Sequence, residues 1–373
     1  MSAAAQDRQT QGAAGRLAAM WRSASPDLRR RLIVIYTFLI GFNVLVWALL
    51  LAASSKYHVL LGLAVIAYGF GLRHAVDPDH IAAIDNVTRK LMQEGKRPVG
   101  VGFFFSLGHS TVVFGLSIAV AVSAAFVKKN LPSLRSAGVV IGTAVSGVFL
   151  VLIAIINLIV LIDIYKTWRK VARGGTYDDQ TLDDYLNNRG LLARLFKPLL
   201  RVVGASWNMY PIGFLFGLGF DTASEVGILG IAATTGASGM PVYLILLLPL
   251  LFVAGMSLAD TTDGVAMLGA YGWAYVRPVR KLYYNMNITL ISVLVALVIG
   301  GIECLQVLIQ ETGAKGGAWD ALGNLNISNM GFVIVAVFIL SWVGSMLFYK
   351  LRGVDRMDDD LPKAPTSGLA GVS

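Results

Sequence analysis

Two imidazoles and two carboxylates fall within seven residues of one run, Arg73-His74-Ala75-Val76-Asp77-Pro78-Asp79-His80-Ile81. Three later segments carry the same residue types. His109 is followed by Ser110 and Thr111. Asp221 and Glu225 stand four apart with Thr222 between them, and Asp260 and Asp263 stand three apart. Residues at those spacings share a helix face. The chain's single cysteine, Cys304, lies in an apolar run and behaves as a small packed residue rather than as part of a thiolate cluster. A donor set of imidazoles and carboxylates without sulfur suits borderline first-row divalents such as Co²⁺, Ni²⁺ or Zn²⁺ better than Mg²⁺ or Cu⁺. The hydroxyls of Ser110, Thr111 and Thr222 are placed to orient such ligands.

On a regular helix His74 and Asp77 share a face while Asp79 and His80 fall further round. Pro78 alters that geometry. It has no N–H for the His74 carbonyl, its ring crowds that turn, and it pushes Asp77 out of helical backbone angles. The expectation is a kinked or unwound segment that brings both imidazoles to one point and frees a backbone carbonyl. A single buried His is ordinarily a helix–helix hydrogen-bonder. Against that reading, three of the four His lie inside apolar runs beside carboxylates, and only His58 sits in a short polar connection. Arg73, the one Lys or Arg inside a span, is a supporting residue, and Asp85 and Asn86 read as structural or gating residues.

The elements that must hold these groups are membrane helices. Of 373 residues, 56% are hydrophobic and 14% charged, against about 25% charged in an ordinary soluble domain. That balance excludes a disordered chain, a nucleic-acid-binding domain and a disulfide-stapled module. Eight stretches reach span length: 32–53, 60–84, 100–126, 138–164, 209–233, 242–270, 285–308 and 330–349. The second, third, fifth and sixth carry the ionisable residues. Each such group costs about 2.5–3.5 kcal/mol at hydrocarbon depth, so so many of them call for a neutralising guest, a divalent cation or protons. Between spans, Lys and Arg number 25 on the side of the termini and 5 on the other. This asymmetry places both termini in the cytoplasm and accounts for the net charge of +9 without invoking nucleic acid.

The expected organisation is all-α: a cytoplasmic tail 1–31 without a cleaved signal, an eight-helix membrane domain 32–350 with a cytoplasmic loop 165–208, and a cytoplasmic tail 351–373. The run Tyr177–Tyr185 within that loop reads as a solvated connector, with an amphipathic helix or regulatory patch as the alternative. Short words recur in order. Phe70-Gly71-Leu72 in span 2 is echoed by Phe216-Gly217-Leu218 in span 5, and Ser106-Leu107-Gly108-His109-Ser110-Thr111 in span 3 by Ser257-Leu258-Ala259-Asp260-Thr261-Thr262 in span 6. Spans 2–4 and 5–7 then form inverted repeats, an architecture that places a transport site near the midplane. Chance recurrence of Gly, Leu and Ser is the competing reading.

The motifs resemble those of the nickel/cobalt transporter family. Its His-x4-Asp-His pattern is met by His74, Asp79 and His80, and three further motifs follow in order at Phe105–Thr111, Leu218–Glu225 and Gly255–Asp263. The resemblance covers nearly all of 30–350. It implies eight-span permeases of the cytoplasmic membrane that take up Ni²⁺ or Co²⁺ without a nucleotide-hydrolysing partner and without a prosthetic group, with His74, Asp79 and His80 central to metal recognition. Pro78 departs from the Ala usual in the family, and Ser224 from a frequent Thr. On this reading His74, Asp77, Asp79 and His80 form the core site, and His109, Asp221, Glu225, Asp260 and Asp263 complete it or take over the ion. No Walker A motif is present. Ligands bind metal deprotonated, so uptake is expected to weaken as external pH falls unless protons travel with the ion. The rivals are an intramembrane metal hydrolase, which lacks support from any His-Glu-x-x-His motif, a metal sensor, and an exporter.

Overall fold

A computed structural model describes residues 25–122, 124–172, 203–219, 223–237, 240–274, 278–325, 327 and 330–351. The Tyr177–Tyr185 run, most of both tails, Asp221 and Thr222 lie outside the described residues. In chain order the helices are α1 (Pro26–Ser54), α2 (Val59–His74), α3 (Pro78–Gln93), α4 (Val101–Val122), α5 (Ala124–Ala172), α6 (Met209–Phe216), α7 (Ala223–Ala237), α8 (Val242–Ile245), α9 (Leu247–Ala274), α10 (Pro278–Thr312), α11 (Ala318–Gly323) and α12 (Met330–Leu351). There is no strand among the described residues.

Among the described residues, five stretches are long and apolar enough to cross a bilayer: Pro26–Ser54, Val101–Ala121, Val140–Lys166, Val242–Gly269 and Met286–Thr312. The pair α2 and α3 makes a sixth, bent by 50°, and Met330–Ser341 is apolar but shorter. Outward-facing Val44, Val65, Leu294 and Leu340 are each half exposed or more. In water that girdle would be a liability, whereas against acyl chains it costs nothing. The protein is a multi-pass helical membrane protein.

The bend has a local cause. Helix α2 tightens at its end, where the N–H groups of Ala75, Val76 and Asp77 bond the carbonyls of Gly71, Arg73 and His74. Asp77 is then extended (φ −67°, ψ 144°) and Pro78 opens α3 at a first-turn position, where a missing N–H loses nothing. The His74 carbonyl is therefore taken by Asp77 N–H at 2.9 Å. It is not freed, contrary to the expectation from Pro78 alone. Helix α3 also runs further than the sequence suggested. The second span was expected to stop at residue 84, yet Asp85 through Leu91 are all buried. Hydropathy ends the span early because it cannot register polar side chains that pair with each other. The fifth span is discontinuous as well. Helix α6 ends in a turn through Gly219, and α7 resumes at Ala223.

Helix α9 packs along α2 and α4, α6 along α4, and α10 along α5. Glycine permits the closest of these crossings. A Cβ on Gly71 would lie 2.1 Å from the Phe252 carbonyl oxygen, one on Gly213 1.9 Å from that of Phe105, and one on Gly331 1.6 Å from that of Val76 in the α2–α3 break. Gly69, by contrast, faces open space. Gly71→Ala should therefore destabilise the detergent-solubilised protein by about 1–3 kcal/mol through overpacking. Gly69→Ala should be neutral or stabilising by up to about 1 kcal/mol from helix propensity. Melting temperatures of the two variants measured side by side check the pair.

Candidate metal centre

The break turns His74, at the end of α2, and His80, in the first turn of α3, toward one point. Their ring centroids lie 4.6 Å apart. His109 of α4 joins them, 4.8 Å from His74 and 4.9 Å from His80. One ring nitrogen from each of the three lies within 4.8 Å of the other two, and all three residues are buried. Phe252 stands 5.6 Å from His74, and Phe105 stands 4.8 Å from His80. The donors therefore converge inside apolar walls, where an unpaired polar group is expensive.

Each imidazole has a carboxylate against it, behind the ring at His74 and His80 and beside the nitrogen that faces the other rings at His109. His74 Nδ1–H donates to Asp77 Oδ2 at 2.7 Å, with Ser224 Oγ 3.3 Å from the same nitrogen. His80 Nδ1 lies 3.3 Å from both oxygens of Asp260, and its Nε2 is buried with no hydrogen bond among the described residues. His109 Nε2 lies 3.0 Å from Glu225 Oε1 and 2.9 Å from His74 Nε2. A carboxylate on one ring nitrogen fixes the tautomer and aims the other lone pair, as in metal sites where a histidine ligand is oriented from behind. Two nitrogens each about 2.1 Å from a metal and at right angles sit about 3 Å apart, close to the spacing between His74 Nε2 and His109 Nε2.

Asp77 carries a further constraint. It is the residue before the first turn of α3 yet makes no capping bond with its side chain. The carboxylate is committed instead to His74 and to the guanidinium of Arg73, which donates to Oδ1. Asp79 is half-buried in the first turn of α3, within electrostatic reach of both imidazoles and outside the converging trio. Glu225 is buried and points Oε1 at the ring, also 3.7 Å from His74 Nε2. Asp263 is half-buried one turn past Asp260, and its Oδ2 makes no hydrogen bond among the described residues. Ser110 is buried, and its hydroxyl has no hydrogen bond among the described residues. Thr111 is exposed and bonds the Leu107 carbonyl and the Tyr210 hydroxyl, away from the rings.

Past the rings, α3 carries a second polar cluster. Asp85 pairs with Arg89. Asn86 donates to the carbonyls of Ala82 and Ser292 and accepts from Asn157 of α5. Sequence reasoning passed over Arg89, Asn157 and the buried Glu303 of α10, which accepts from Ser146 Oγ at 2.7 Å. For Glu303 a signal existed, an acid inside an apolar run. For Arg89 there was none, since it stood beyond the expected end of its span.

If Asp260 aims His80 from behind rather than binding metal itself, Asp260→Asn should weaken the purified protein's affinity for Co²⁺ by about 10–100-fold. Thr111→Val should leave it unchanged. Titrations followed by ligand-field absorption check both, and an Asp260→Asn protein that binds like the wild type would refute the assignment.

Comparison with known proteins accords with this chemistry. The family described as high-affinity nickel-transport protein matches residues 60–348. A high-affinity nickel transport protein of Cupriavidus necator is 51% identical over 329 residues, covering 88% of this chain and 94% of the relative. The nickel transporter NicT of Mycobacterium tuberculosis is 48% identical, covering 82% of this chain and 83% of its own. The cobalt transport protein NhlF of Rhodococcus rhodochrous is 40% identical, covering 87% and 94%. No solved structure matches the chain. On the family match and on identities well above those of remote relatives, the chain belongs to the high-affinity nickel-transport protein family.

Proposed function

We propose that this protein is a permease that takes up Ni²⁺, Co²⁺ or both across the cytoplasmic membrane, with the metal as cargo and no resident prosthetic group. The observation that carries the reading is the convergence of three buried imidazoles at a helix break, two of them backed by carboxylates and the third beside Glu225. Relatives named for nickel and for cobalt transport support the choice of metals. His74, His80 and His109 supply nitrogen donors, and Glu225 supplies an oxygen at the same point. Asp77 and Asp260 orient the rings, and Asp79, Asp221 and Asp263 serve the ion on arrival or departure. Arg73 holds Asp77, Pro78 sets the break, and Ser110, Asp85 and Asn86 shape the surroundings.

The ring nitrogens must be bare to bind. Any hydrogen between His109 Nε2 and its neighbours His74 Nε2 and Glu225 has to leave the site altogether as the cation enters, because Glu225 must itself be deprotonated to ligate. Occupancy from the outside should accordingly fall as external pH falls. An inside-negative potential draws each charge inward by about 2.3 kcal/mol per 100 mV, so no ATPase subunit is required.

We further read eight spans with both termini cytoplasmic, the domain 32–350 lying between short tails, and an inverted repeat of spans 2–4 and 5–7. Three features support the repeat. Both the α2–α3 and the α6–α7 spans are discontinuous. The pairings of α9 with α2 and of α6 with α4 exchange under the repeat, and the pairing of α10 with α5 maps onto itself.

Radionickel uptake into proteoliposomes under an imposed inside-negative potential tests the function. Wild-type protein should accumulate nickel without ATP, and His74→Ala should lower the rate by about a hundredfold or more, since loss of a nitrogen donor should cost at least as much as the roughly 10–100-fold loss of a group that orients one. Pro78→Ala should shift the ratio of nickel to cobalt uptake. Unchanged uptake in His74→Ala would overturn the site, binding without flux would make the protein a sensor, and flux only outward would make it an exporter.

A further inference from the structure

The transport reading leaves a deeply buried guanidinium without a task. Arg89 is 1% exposed, in the half of a bent span that leads away from the ring, nine residues past His80. Its Nη2 bonds both oxygens of Asp85, at 3.2 and 3.1 Å, and the Ser292 hydroxyl, and its Nη1 bonds Thr289 Oγ1 at 3.1 Å. Asp85, Thr289 and Ser292 have no exposed surface. A guanidinium stays charged in any protein environment, so this is a fixed cation inside the bundle. Stability alone does not demand it, because apolar replacements of buried ion pairs are often as stable or more so.

The acids between the ring and Arg89 suggest its use. Asp260 holds His80. One turn further along α9, Asp263 has a buried oxygen with no hydrogen bond among the described residues. It lies within electrostatic reach of both Asp260 and Asp85. On the transport reading, a divalent cation that left the rings along α3 and α9 would meet Asp263 and Asp85. Carboxylates in sequence attract the ion but also retain it, and passage requires sites weak enough to leave.

We propose that Arg89 is a tethered counter-cation that competes with the transported ion for Asp85, expelling the metal toward the cytoplasm and neutralising the acids once they are empty. The inference rests on the transport reading. Its particular consequence concerns the empty protein. Without Arg89 the vacated carboxylates keep the ion or lack a partner during the return, so net transport stalls. Exchange of nickel for nickel needs no empty return and continues.

Purified full-length protein in liposomes separates the two modes. Net uptake is measured into metal-free vesicles, and exchange into vesicles preloaded with unlabelled nickel. In Arg89→Gln, net uptake should fall at least about tenfold while exchange stays within about threefold of wild type. Arg89→Lys, which keeps the charge but loses the forked contacts to Thr289 and Ser292, should keep net uptake within about threefold. Undiminished net uptake in Arg89→Gln overturns the proposal. So does an equal loss of both modes, which marks a structural clamp. Should Arg89→Gln fail to yield monodisperse protein, Arg89→Lys decides: retained net uptake supports the proposal, and joint loss of both modes overturns it. Wild-type vesicles that move nickel in neither mode overturn the transport reading together with this inference, whereas failure confined to the Arg89 variants overturns only the inference.

Discussion

Within a bilayer no water stands ready to satisfy a freed backbone group or a lone charge. Every polar feature of this protein answers to that constraint. The α2–α3 break exposes few backbone groups because the last N–H groups of α2 fold back on its own carbonyls and proline removes the first donor of α3. The imidazoles are each matched by an acid, and the acids by something further: Asp77 by Arg73 as well as His74, Asp85 by Arg89. Among the described residues, His80 Nε2, His109 Nδ1, Ser110 Oγ and Asp263 Oδ2 are buried without a hydrogen bond, as are Asn43 Oδ1, Thr88 Oγ1 and Asn157 Oδ1 elsewhere in the bundle. Buried polar atoms without partners are costly, and at His80 Nε2, where three imidazoles converge, a guest with positive charge repays that cost.

The same economy shapes how the helices meet. Glycine at 71 and 213 lets backbones touch at two crossings, α2 with α9 and α6 with α4. Association in lipid gains little from burying apolar surface and depends on such close packing. The crossings fix Phe252 and Phe105 against His74 and His80, so the positions of the rings follow from the backbone approach as much as from their own hydrogen bonds.

Much of this was legible in the residues. The spacing of His74, Pro78 and His80 implied an interrupted helix with converging imidazoles, and acids inside apolar runs pointed to Glu225 and Asp260. Other features were hidden for physical reasons. That Asp260 pairs with His80 rather than with another acid is a contact across 180 positions, which no local periodicity encodes. The burial of Arg89 was masked because hydropathy scores each residue alone and counts a paired charge as exposed. The fate of the His74 carbonyl depended on a tightened final turn, a choice of hydrogen-bond partner rather than of residue type. The outward hydroxyl of Thr111 shows the limit of reading function from adjacency: a neighbour in sequence points elsewhere on a helix.

Gly331 presses the start of α12 against the Val76 carbonyl at the bend. With no gap between them, straightening that bend must push the last helix aside or carry it along. The final helix thus rests directly on the backbone of the bend, and any side chain at position 331 would prise the two apart.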